Sequence, residues 1–283
     1  LLIAASQGEC VYTPAMEKMR GGINLASESG ETGYRWVIIG RALSSTGEWE
    51  LAGEAFRLAT LAVPQYAEAW ALLAEARYQM GSGDQQALAR AIVLDPESVV
   101  VRALVALDYR RQGKPNLALI YLEEIAEQEP EEPTWQVELA NVQREIGDLQ
   151  AALQHYQRAI ELAPTTSLYR QYLARFSVEY GISVQEVGLP AARQAVLLAP
   201  DDPAALDVMG WTMAALSDFA SAERFLHQAV ERDATYAPAQ LHLGQLYLQQ
   251  QDLDRAYVYL ERAAELSGQA QIGEPARRLL RQY

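Results

Sequence analysis

Cysteine is almost missing. Cys10 stands alone in 283 residues, which excludes an internal disulfide framework and every multi-cysteine zinc or iron–sulfur site. Lysine is nearly as scarce: Lys18 and Lys114 stand among 23 basic residues, a bias from which no function follows. Positive charge is itself in deficit, because 37 acidic residues leave a formal charge of −14. Such a surface repels phosphate backbones, so no nucleic-acid partner is expected. Long apolar runs are lacking too, so no transmembrane segment is expected where ~18 apolar residues would be needed. Histidine is limited to His155, His227 and His242, which lack the i, i+4 spacing of a helical metal site; packing is the expected role of each. Gly81-Ser82-Gly83 is followed by neither the lysine nor the strand context of a phosphate loop. The acidic pairs Glu123-Glu124 and Glu131-Glu132 read as solvated helix ends. No catalytic constellation remains, so the chain reads as a non-enzyme without cofactor or metal.

What is present is apolar and periodic. Half the residues are hydrophobic, too many for a disordered chain, and the length exceeds what one core usually supports, ~250 residues. Prolines at 64, 96, 130, 164 and 200 recur every 32–36 residues. Earlier in each unit one column reads Gly40, Ala74, Ala106, Ala140, Ala174, Gly210 and Gly244. Within 133–166, Val137, Leu139, Val142 and Ile146 follow a helical period, and Gly147-Asp148 supplies a helix stop and an N-cap. A second helix then carries Ala152, Leu153, Tyr156, Ala159 and Ile160 up to Pro164. The same turn recurs at Gly47-Glu48, Gly113-Lys114, Ser217-Asp218 and Gln251-Asp252. Such a hairpin is too small to bury its apolar face alone and must stack on neighbours. The sequence predicts a solenoid of helical hairpins.

The pattern Trp36, Ile39, Gly40, Leu43, Ala52, Phe56, Ala59 and Pro64 resembles the tetratricopeptide repeat. Seven repeats are assigned at 33–66, 67–98, 99–132, 133–166, 167–202, 203–236 and 237–270. The resemblance implies an all-α, right-handed superhelical solenoid of antiparallel helix pairs. Residues 1–32 read as an N-terminal arm or linker, and 271–283 as a C-terminal capping helix with Leu279 and Leu280 packed inward. Two departures stand out. The second repeat is short at Gly81-Ser82-Gly83-Asp84, so its second helix should start late. The fifth is long at 181–190, where Gly188 and Pro190 predict a longer loop or a kink. Trp36, Trp70 and Trp135 read as structural anchors.

In the family the first helices line a concave groove. Carried over, that places Arg41, Glu75, Asn141, Arg175, Trp211 and Gln245 at position nine, with Tyr78, Arg110 and Arg144 at position twelve. Gln171 falls at position five and Tyr172 at position six. The lysine–asparagine clamp for chaperone tails and the asparagine ladder of sugar-transferase repeats are both missing. Arg110, Arg144 and Arg175 form a local concentration suited to carboxylates, although Glu75, Glu145, Glu179 and Asp207 lie nearby. The resemblance implies an adaptor holding a protein or peptide in the groove. The alternatives are a regulatory segment of a larger enzyme or envelope assembly, or a self-associating module. A solitary cysteine fits cytoplasm and exterior alike; the cytoplasm is the default expectation, and export or envelope association the alternative.

Overall fold

Turn chemistry sets the rhythm of the chain. The computed structural model describes residues 32–267 and 273–282, together with Gly21. Residues 1–20 and 22–31 of the expected N-terminal arm, and residues 271, 272 and 283 of the expected cap, lie outside the described residues, while Thr32 opens the first helix. Among the described residues there are fifteen α-helices and no strand. The first hairpins are α1 (Thr32–Ser44) with α2 (Trp49–Ala62), α3 (Ala67–Gln79) with α4 (Gln85–Leu94), and α5 (Val99–Arg111) with α6 (Pro115–Gln128). Next come α7 (Pro133–Ile146) with α8 (Leu149–Leu162), and α9 (Ser167–Tyr180) with α10 (Leu189–Leu198). The last pairs are α11 (Pro203–Ala215) with α12 (Phe219–Arg232), and α13 (Ala237–Gln249) with α14 (Leu253–Ser267); α15 (Gly273–Gln282) follows. Seven pairs and one more helix are what seven repeats and a cap require.

Each regular hairpin turns through one left-handed residue. Gly47, Gly113 and Gly147 take φ of 81°, 70° and 94°, and Ser217 and Gln251 take 63° in the corresponding turns. The following aspartates cap the second helices: Asp148, Asp218 and Asp252 accept the backbone N–H of Ala151, Ser221 and Arg255 at 3.0–3.1 Å. A side chain in the left-handed region is strained, whereas glycine is not. Ser217→Gly and Gln251→Gly are therefore each expected to stabilise the chain by about 0.5–1 kcal/mol. A lowered urea midpoint in either variant would contradict this.

Small residues set the helix crossings. A Cβ on Gly40 would lie 2.4 Å from the Phe56 ring, and Cβ atoms on Gly210 and Gly244 would lie 2.6 Å from Leu226 and Leu260. The conserved-looking column is thus a line of close approaches between the two helices of a hairpin. A second device ties three of the repeats to the turn before them. Trp70 Nε1 and Arg102 Nε donate to the carbonyls of Pro64 and Pro96 at 2.9 Å, and Gln240 Nε2 donates to Ala234 at 3.3 Å. Trp70 is the anchor the sequence suggested, and Trp135 Nε1 holds Glu129 at 2.6 Å.

Both departures take physical form. α4 begins only at Gln85 and runs ten residues, against fourteen for α2, α8 and α12. In the fifth repeat the extra residues coil into a π-helical turn, Val184–Gly188, and Pro190 sits in the first turn of α10. Gly188 belongs there because a Cβ would stand 2.9 Å from the Ser177 side chain. At the C-terminal end, Ala276, Leu279 and Leu280 of α15 pack against Leu241, Leu260 and Ala263. Arg277 and Arg281 pair with Glu274 of the same helix, at 3.4 and 2.7 Å. The cap covers the apolar face of the last hairpin.

The helices group into two compact units, one ending at Gln128 and one starting at Glu129. Within the first unit α1 touches α3, and α3 touches α5; within the second α9 touches α11, and α11 touches α13. First helices thus form a layer in each unit, and second helices pack between them.

Candidate functional site

In the first unit the inner-helix side chains are tied to one another. Arg41 reaches Glu68 at 3.3 Å, with both partners partly exposed. Glu75 on α3 receives a two-pronged bond from Arg111 on α5, at 2.5 and 2.8 Å. The same guanidinium lies 3.9 Å over the ring of Tyr78. Burial pushes the Glu75 carboxyl upward, but hydrogen bonds from Arg111 and Gln79 together hold it below the usual carboxylate range. Arg110 is half-buried on α5. Arg111, outside the expected groove set, is the cation that organises this surface.

In the second unit the expected residues divide into two groups. Several are committed inside the fold. Gln171 is 4% exposed, and its amide donates to Asp202 at 2.6 Å and Ser167 at 3.0 Å. Asn141 accepts from the Tyr156 hydroxyl at 2.8 Å. Tyr172 packs against the core of the unit. Arg144 reaches Glu179 at 3.4 Å, and its Nε is buried without a partner. Arg110 belongs to the first unit, and Arg144 and Arg175 to the second.

The second group converges on α9, α11 and α13. Asp207 of α11 is 1% exposed; its Oδ1 accepts from His242 Nδ1 of α13 at 2.7 Å, and its Oδ2 has no partner. The His242 ring stacks on Trp211, with centroids 4.4 Å apart and planes 16° apart. Arg175 of α9 acts electrostatically on the Tyr236 phenol. Burial first, and then the nearby Asp207, pushes that phenol up to about 12, while Arg175 pulls it the other way. Trp211, Arg175 and Gln245 all stay half-exposed. The result is a flat aromatic stack between α11 and α13, held in place by a buried carboxylate. Sequence reasoning placed Asp207 near the arginines and gave His242 a packing role, at positions five and six of successive repeats, without pairing them. The available signal was that these positions oppose each other in successive first helices.

The other histidines serve packing as well. His155 Nδ1 lies 2.9 Å from Gln136 Oε1, and His227 Nε2 lies 3.0 Å from the Tyr247 hydroxyl. Among the described residues no three His, Cys, Asp or Glu gather as a metal site. No helix among them is long and apolar enough to cross a membrane.

Stacked hairpins with small-residue crossings and a terminal cap define a helical-hairpin solenoid. Tetratricopeptide-repeat family profiles match residues 106–166 and 213–272, so the chain carries tetratricopeptide repeats. It is similar to a tetratricopeptide-repeat protein from Parabacteroides merdae, with 14% identity over 93% of this chain and 98% of that one and a TM-score of 0.66. It is also similar to yeast Tom70, with 16% identity over 95% of this chain and a TM-score of 0.65; the match spans 58% of that protein. A thermophilic tetratricopeptide-repeat protein from Thermus thermophilus matches with 21% identity over 65% of this chain and 99% of its own, TM-score 0.55. At these identities the likeness establishes the fold alone. No curated protein sequence matches the chain. Tetratricopeptide arrays are generally protein–protein interaction scaffolds, typically without enzymatic activity.

Proposed function

We propose that this chain is a non-enzymatic adaptor that holds an extended protein segment on its first helices, chiefly on α9, α11 and α13 of the second unit. The observation that carries the reading is the stack of Trp211 on His242, with Trp211 half-exposed and Arg175 half-exposed on the neighbouring first helix α9. A flat indole offers contact area at small entropic cost, and such aromatic groups dominate binding energies at protein interfaces. Arg175 supplies a planar donor for a carboxylate of the bound segment. Affinity would come from a preformed surface spread over several repeats rather than from one deep pocket.

The test is affinity capture from native lysate with wild type, Trp211→Ala, Arg175→Glu and Arg158→Glu side by side. Arg158 is an exposed residue of the second helix α8, paired with Glu161, and serves as control. Trp211→Ala and Arg175→Glu should each lower recovery of the same retained protein roughly tenfold, the scale of an interface hot spot. Arg158→Glu should leave recovery unchanged. Equal recovery by all four would remove the inner helices from the binding surface.

A further inference from the structure

The shortened second repeat leaves a recess that the adaptor reading does not use. In the first, fourth and sixth hairpins the second helix opens with a bulky apolar residue, Trp49, Leu149 or Phe219, packed against the local core. In the second hairpin that place is taken by Gly81-Ser82-Gly83, and α4 starts later and is four residues shorter than α2 (ten against fourteen). A cavity of about 620 Å³ stands there, between α3, α5 and the start of α4. Its size falls in the range of small-molecule sites.

The lining has two chemistries. Ala71, Ala74, Leu88 and Leu104 give it an apolar wall. Its polar rim holds more negative than positive charge. Glu75 is matched by Arg111, and Asp84 is matched by Arg77. Asp108, also in the lining, accepts an amide bond from Gln112 at 2.6 Å and shares the field of Arg111 with Glu75, so the lining's Glu75, Asp84 and Asp108 outnumber Arg111 and the nearby Arg77 by one charge. What the recess lacks, compared with its sister repeats, is a large apolar group. What it offers in surplus is one carboxylate.

We infer that this recess is a binding site for a small organic cation with a bulky apolar body, such as an aromatic amine. The apolar body fills the place that Trp49, Leu149 and Phe219 fill in other hairpins, and the ammonium group faces Asp108. The site lies wholly within the first unit, so it stands or falls independently of the platform on α9, α11 and α13.

Tryptamine is the probe, followed by amide chemical shifts and thermal melting of the full chain. Saturable shifts are expected at Gly83, Gln85, Leu104 and Asp108. Indole-3-acetate, with the same ring and the opposite charge, should bind roughly tenfold more weakly or not at all. Asp108→Asn should weaken tryptamine by roughly tenfold, because a neutral amide replaces the surplus charge. Gly83→Leu should block it, since a Cβ there meets nothing within 4 Å and the added side chain can occupy the recess. Far-UV circular dichroism checks that each variant is folded, and Asp108→Asn keeps the test decisive if Gly83→Leu is not. Absence of saturable binding at millimolar tryptamine would overturn the proposal, as would equal binding of indole-3-acetate or an unchanged response in Asp108→Asn.

Discussion

Replacing His242 with alanine should destabilise the chain by about 3 kcal/mol, the lower end of what breaking a buried acid–base pair costs. Asp207 is 1% exposed, its Oδ2 already has no partner, and its Oδ1 depends on His242. Without the imidazole the buried carboxylate loses the donor to its Oδ1, and removing one partner of a buried polar pair is the most expensive way to remove such an interaction. The same substitution removes the ring stacked on Trp211, so it also dismantles the platform. A second substitution separates the two effects. Asp207→Asn in the His242→Ala background should recover part of the lost stability, because an amide is cheaper to bury than a carboxylate. Platform-dependent capture should stay low in that double variant. Urea unfolding gives the energies; a loss below about 1 kcal/mol for His242→Ala would show that the pair does not hold α11 to α13.

Gly40→Ala is the second substitution with a large expected effect, and its sign is unusual. In an exposed helix the change would stabilise by about 1 kcal/mol. Here the new Cβ would stand 2.4 Å from a Phe56 ring that is 1% exposed. Overpacking of this kind is expected to cost about 1–3 kcal/mol instead. The atoms a new Cβ would meet all belong to the Phe56 ring; alanine at this register is paired with leucine in Ala74 with Leu88 and Ala106 with Leu122, although Leu226 and Leu260 still crowd Gly210 and Gly244. Phe56→Leu should therefore offset Gly40→Ala, with the double variant losing less than the sum of the singles. Additive losses measured by urea unfolding would mean that the two side chains do not compete for one space.

The fold was legible because every hairpin turns through a left-handed residue and keeps a small residue at the crossing, and four of them add an aspartate cap. Seven repetitions raise a weak local pattern above chance. Gly47, Gly113 and Gly147 could be read directly, and even the exceptions Ser217 and Gln251 kept the following aspartate. The late start of α4 followed from a simple deficit of residues. The form of the fifth insertion did not follow, since Gly188 and Pro190 fit a loop, a kink or the π turn equally well until the close approach to Ser177 is known.

The site was legible only in part. Treating each register as a column names the residues on the first helices, but it treats them as independent. The decisive polar contacts run between repeats: Glu75 with Arg111, Gln171 with Asp202, Arg144 with Glu179, and Asp207 with His242. These partners are 31–36 residues apart, one repeat further along, so a column never shows them together. Gln171 thus reads as a groove residue in the sequence while its amide holds the turn before α11. Trp211 and Arg175 survive as candidates because their inner registers coincide with half-exposed positions.

All of this depends on stability being local, passed from each hairpin to the next rather than shared through one core. Native-state hydrogen exchange on Gly40→Ala tests that most directly. Amides of α1, α2 and α3 should exchange faster than in the wild type, while those of α11 to α15 keep their protection. A uniform loss of protection through α15 would contradict the account.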